Sequence, residues 1–167
     1  MHWGLHYVPA MLAMYQRDLG HAIIDAGADI ILGHHPHMLR AIEVYKGKAI
    51  FYSLGNFAFD LYREDRSVEQ LEHVQELYGW KPDPLYSSFT FPRDSKMTIL
   101  AKCHIVDKKI KKVSFLPAMI NKHGQPEFLL LEDKRSEEVI NYMRWLCDNQ
   151  KLDTKLVCEG NEVVIPT

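Results

Sequence analysis

Residues 29–37 read Asp29-Ile30-Ile31-Leu32-Gly33-His34-His35-Pro36-His37. The first half is a short apolar run without alternation. Such a run suits a strand buried on both faces, as in parallel α/β sheets. Gly33 ends it, and three histidines crowd its carboxyl end, the side of an α/β sheet where ligands bind. Upstream, Leu12, Tyr15, Leu19, Ala22, Ile23 and Ala26 recur at steps of three and four, the stripe of an amphipathic helix over 10–26. Pro9 would open that helix and Gly27 would close it. Downstream, 42–45 and 49–54 read as two strands around Lys46-Gly47-Lys48, a hairpin turn in which Gly47 supplies positive φ. Helix, buried strand and hairpin in this order place the chain in the α/β class.

The rest of the chain changes character near residue 60. A charged helical pattern runs over 64–78 and ends at Gly79. Residues 80–96 hold three prolines and several aromatics without period, the composition of a long loop. Residues 97–106 and 110–116 form a hairpin about Asp107-Lys108-Lys109. Ser136, followed by Glu137 and Glu138, starts a last helix to about Asn149, with Val139, Ile140, Met143, Leu146 and Cys147 on its buried side. Val163-Val164-Ile165 is a final strand. The chain is therefore expected to be one domain, with 1–60 carrying the histidines and 61–167 an antiparallel sheet with helices.

Composition narrows the function classes. The chain has 167 residues with 20 Lys plus Arg against 22 Asp plus Glu, a net charge of −2. That balance speaks against a nucleic-acid or membrane-surface partner, which calls for a basic excess. No apolar run reaches the ~20 residues of a membrane span, and the N-terminus lacks a secretory pattern. Three scattered cysteines, Cys103, Cys147 and Cys158, fit neither a complete disulfide framework nor a four-cysteine zinc site. These features favour a reducing, cytoplasmic setting.

Histidine is the residue out of proportion. There are nine, and six of them (His2, His6, His21, His34, His35 and His37) precede residue 40. In His35-Pro36-His37, two imidazoles one residue apart at a strand mouth can turn to one point, with Pro36 stiffening the backbone between them. Neutral imidazole is a common ligand of Zn²⁺, Mn²⁺ and Fe²⁺. His2 stands before Trp3-Gly4, and Gly4 lets the chain approach a site closely. Two histidine-bearing loops could thus converge on one divalent ion.

The ordered set His2-Trp3-Gly4, Ile24-Asp25-Ala26-Gly27-Ala28-Asp29, Gly33-His34-His35-Pro36-His37, Gly47-Lys48 and Phe51-Tyr52-Ser53-Leu54-Gly55-Asn56-Phe57 resembles the C-terminal half of the CapA-type capsule (poly-γ-glutamate) biosynthesis proteins. These belong to the calcineurin-like metallophosphoesterase superfamily. The resemblance covers about the first third of the chain. It implies the C-terminal half of a two-sheet α/β/β/α sandwich and a metal-dependent phosphoesterase or capsule-assembly role, with a phosphate ester or polyglutamate-related substrate. The superfamily's two ions, about 3.5–4 Å apart, clamp a phosphoryl oxygen. By the resemblance, His2 falls on the family's lone metal-binding His, and His35 and His37 on its final pair. His34 and His6 become substrate or neighbouring candidates, and Asp29, Glu43 and Asn56 supporting ones. His6 stands where most relatives carry Glu.

The family's Asp-bearing, Gly-Asp and Asn-Asn-His motifs have no counterpart here. Three histidines could hold one Mn, Fe or Zn ion at most, where the family site holds two. Met1 directly before His2 suggests a piece of a longer reading frame. Relatives are often membrane-anchored or extracytoplasmic through N-terminal segments. The alternatives are a non-catalytic half-domain that associates with a partner chain through an exposed sheet edge, and a free-standing three-histidine zinc hydrolase.

Overall fold

The computed structural model describes residues 1–6, 8–58, 73, 76, 77, 79, 80, 83–86 and 91–167. Most of the helix expected over 64–78, and the middle of the 80–96 loop, lie outside the described residues.

Helix α1 spans Tyr15–Asp25. It starts five residues later than its apolar stripe suggests, and Pro9 sits in a turn before it. Tertiary contacts decide this. Ala10 is buried in the main core with a left-handed φ of 57°, and its carbonyl accepts from Gln150 Nε2 at 2.5 Å. A helix cannot run through that backbone. The first turn forms only afterwards, with Gln16 Oε1 accepting from the Ala13 N–H at 2.8 Å. The other end is as expected: Gly27 adopts φ 112°, and the N–H groups of Gly27 and Ala28 return to the carbonyls of Ile24 and Ile23.

The first sheet has the order β1-β3-β2, from β1 (Ile31–Leu32), β2 (Ile42–Tyr45) and β3 (Lys48–Phe51). β1 runs parallel to β3, and β2 and β3 form the expected hairpin. Its turn is tighter than expected, since both Lys46 (φ 50°) and Gly47 (φ 72°) are left-handed, the two-residue geometry that matches strand twist. Alternation sorts the side chains. Ile31, Glu43, Tyr45, Ile50 and Tyr52 share the α1 side, where Trp3, Ile24, Ile31, Ile50 and Tyr52 make a small core. Ile42, Ala49 and Phe51 face the other way, into the main core. The expectation that β1 is buried on both faces is corrected: Ile31 is buried and Ile30 packs against the main core, but Leu32 is 39% exposed and lies outside it.

The second sheet has the order β4-β5-β8-β7, with β6 on β5. Its strands are β4 (Met97–Val106), β5 (Lys109–Ile120), β6 (Pro126–Phe128), β7 (Val157–Glu159) and β8 (Glu162–Ile165). Helix α2 (Lys134–Asn149) lies against β5 and β2. Its N-cap is Asp133, whose carboxylate accepts from the Arg135 N–H, so the helix begins before the expected Ser136, which is buried in the first turn. Phe51 from the first sheet, Ile99, Val113 and Phe115 from the second, and Val139, Met143 and Leu146 from α2 form one continuous core. The architecture is mixed α/β with two sheets, consistent with an α/β sandwich. Among the described residues no helix is long and apolar enough to cross a membrane.

Candidate metal centre

Residues 1–3 extend the first sheet beyond β1. The Met1 ammonium donates to Leu32 O at 2.7 Å, His34 N–H to Met1 O at 2.8 Å and Trp3 N–H to His34 O at 3.1 Å, so His2 pairs with His34 in a parallel bridge. Trp3 anchors this tail: its indole N–H donates to Tyr52 O at 2.9 Å, and its ring stacks on Tyr52. That bond passes directly over Gly33. A Cβ there would lie 2.2 Å from Tyr52 O and 2.6 Å from Trp3 Nε1, so only glycine fits. Just beyond, His35 (φ 102°) and His37 (φ 55°) both hold left-handed backbone, a strained conformation for residues with a side chain.

This path brings four imidazoles together. His2 Nε2 and His35 Nδ1 are 2.7 Å apart, with the rings edge to face. His6 stacks on His35 at 3.9 Å between centroids and lies 5.7 Å from the His37 ring. His37 in turn stacks on Phe91 at 4.9 Å. Burial, with neighbouring imidazoles adding to it, lowers the pKa of His6 and His35, which favours the neutral form a metal requires. His34 is also lowered, by burial and then by the Met1 ammonium. Its backbone carries the bridge to His2.

The supporting candidates separate. Asn56 joins the cluster: its Oδ1 lies 2.8 Å from His37 Nδ1. Glu43 instead binds α1 to the sheet, accepting from Tyr52 Oη at 2.6 Å and pairing with His21 at 2.9 Å and Arg17 at 3.4 Å. These hydrogen bonds hold its carboxyl below the usual range against the opposing effect of burial. Asp29 has a side chain 72% exposed and pairs with Lys48 at 3.3 Å, as befits a strand-start residue. Two contributors escape a reading of the sequence. Phe91 stands in an aperiodic loop. Arg40 is a buried cation in an apolar stretch, its Nη2 donating to Leu5 O at 3.0 Å beside His6. Burial pushes its pKa down to about 10. Neither has a local signal linking it to the histidines.

The donor chemistry suits a cation, since all four rings are imidazoles and two favour neutrality. The positions suit it in part. Two nitrogens sharing a tetrahedral ion at about 2.0–2.1 Å stand roughly 3.3 Å apart, whereas His2 and His35 are closed onto each other by a direct hydrogen bond. Among the described residues, no three His, Cys, Asp or Glu side chains are disposed around one point as a ligand set.

Residues 1–61, the segment that builds this cluster, match the family model described as "Bacterial capsule synthesis protein PGA_cap". The same segment is similar to CapA-type proteins. It is 61% identical over 59 residues to the PGA biosynthesis protein CapA of Bacillus subtilis, and 56% identical over 59 residues to the capsule biosynthesis protein CapA of Bacillus anthracis. It is 42% identical over 60 residues to a probable polyglutamine synthesis accessory protein of Mycobacterium tuberculosis. These matches take in 35–36% of this chain and 14–16% of the length of those relatives.

Proposed function

We propose that this chain serves capsule or poly-γ-glutamate biosynthesis as a CapA-type protein, and that its imidazole cluster binds one divalent transition metal for phosphoester chemistry. The observation that carries this reading is the meeting of His2, His6, His35 and His37, from two loops about 30 residues apart, inside the segment that matches the family. His2, His35 and His37 would hold the ion, with His6 against them. When bound, such an ion supplies Lewis-acid polarisation of a phosphoryl oxygen. The chain's own part is to fix the rings: the Met1–Trp3 tail places His2, the left-handed backbone at 35 and 37 aims the pair, and Asn56 holds His37.

The test is metal stoichiometry after loading with Mn²⁺, Fe²⁺ or Zn²⁺, together with hydrolysis of p-nitrophenyl phosphate. Binding of one equivalent, lost in His35→Ala and His37→Ala, is the expected result. Failure of all three ions to bind at micromolar concentration rejects the metal reading.

A second reading has its own support. Residues 1–16 contain no Asp, Glu, Lys or Arg, and they expose Met1, Leu5, Val8, Met11 and Met14, the last at 98%. A methionine-rich surface without charged side chains, in the same segment as His2 and His6, favours a non-catalytic module that works against a partner chain. Light scattering separates the two: a monodisperse monomer that hydrolyses the ester excludes the second reading.

A further inference from the structure

Asn56 is 4% exposed and makes three hydrogen bonds from one side chain. Its Nδ2 donates to His37 O at 3.0 Å and to Ser95 O at 3.4 Å, while its Oδ1 faces His37 Nδ1 at 2.8 Å. The two carbonyls can only accept, so they fix which end of the amide is nitrogen. The amide oxygen then has no choice but to face His37 Nδ1, and that nitrogen must carry the proton. In the neutral ring the lone pair is consequently on Nε2. The loop that carries Asn56 is itself pinned: Thr98 Oγ1 donates to Leu54 O at 3.0 Å, and Gly55 (φ 78°) passes so close that a Cβ there would stand 3.2 Å from Met97 O. By contrast, the His2–His35 pair shares one proton that either ring can donate.

We propose that Asn56 is a positioning residue that sets the tautomer of His37, with the proton on Nδ1 and the lone pair on Nε2. This stands on these hydrogen bonds alone; the zinc titration described below rests on the metal reading above. A buried carbonyl oxygen on the far nitrogen of a ligating imidazole fixes its orientation and raises its basicity. Because Asn56 also bonds Ser95, it ties the ring to the short turn Arg93–Lys96 at the start of β4.

The experiment is a long-range ¹H–¹⁵N correlation on the ¹⁵N-histidine-labelled full chain without metal, at about pH 8.5, where imidazoles are neutral. It is run on the wild type and Asn56→Leu, with a zinc titration of each. The expected result is an Nδ1–H ring at His37 in the wild type. Asn56→Leu releases the ring to the other tautomer and weakens zinc binding about tenfold or more. An Nε2–H ring in the wild type overturns the proposal, as does a folded Asn56→Leu chain whose His37 remains Nδ1–H. If Asn56→Leu does not fold, the wild-type spectrum decides alone, and an Nε2–H ring at His37 overturns the proposal. The expected tautomers without zinc binding in any form support the positioning role and reject the metal reading, so the two failures are distinguishable.

Discussion

Gly33 and Trp3 work as a pair at the residue scale. The indole bond to Tyr52 O is possible only because position 33 has no side chain, and that bond holds the tail that brings His2 to His35. Gly33→Ala is expected to cost about 3 kcal/mol or more, since both atoms it meets are held in place. Trp3→Phe keeps the ring but leaves the buried Tyr52 carbonyl short of a donor, and should cost about 1–3 kcal/mol. Urea unfolding of both variants checks the order of the two losses. The histidines themselves were legible from spacing. Glu43 was not: a lone acid in a strand carries no mark of what faces it, and here that is His21, Arg17 and Tyr52.

At the scale of elements, two hairpin turns share one geometry. Asp107 (φ 51°) and Lys108 (φ 61°) are both left-handed, like Lys46 and Gly47. Lysine is a poor occupant of such a position, whereas Asn-Gly suits it. The double change Asp107→Asn with Lys108→Gly should therefore stabilise the chain by about 1 kcal/mol, read as a raised Tm. Asp133→Ala removes the α2 cap and should cost about 1 kcal/mol. The boundaries of both helices were imperfectly legible for the same reason. The apolar stripe marks which residues of a helix face the core. It does not say where a buried left-handed Ala10 interrupts α1, or that Asp133 rather than Ser136 supplies the cap oxygen.

On the scale of the whole molecule, one core joins both sheets to α2, so Phe115, buried at its centre, should report on all of them. Phe115→Ala is expected to cost about 3–5 kcal/mol, with far-ultraviolet and tryptophan signals unfolding together. On the second sheet Glu162 bonds Lys102, Lys112 and Ser114, and these hold its carboxyl down at about 2 from an ordinary 4.5. The unfolded chain thus takes up this proton first as pH falls. The stability Glu162 contributes is whole above pH 4.5 and drains away as pH drops towards 2. Glu162→Gln should flatten that part of the acid-unfolding curve, and high salt should mimic it, because the ion pairs are near the surface.

Local order along the chain determined a good deal about this protein. Apolar period and turn residues specify the α1 stripe, both hairpins and the α2 face, since those choices depend on neighbours a few residues away. The run from Gly33 to His37 places imidazoles at a strand mouth, and the motif order within 1–61 carries the similarity to CapA-type proteins. Only the tertiary structure decided that residues 1–3 lie parallel to β1, that His6 stacks on His35, and that Asn56 rather than Glu43 or Asp29 meets the cluster. A parallel pairing across some 30 residues and an amide turned by two distant carbonyls are settled by packing, for which neither periodicity nor propensity carries a signal.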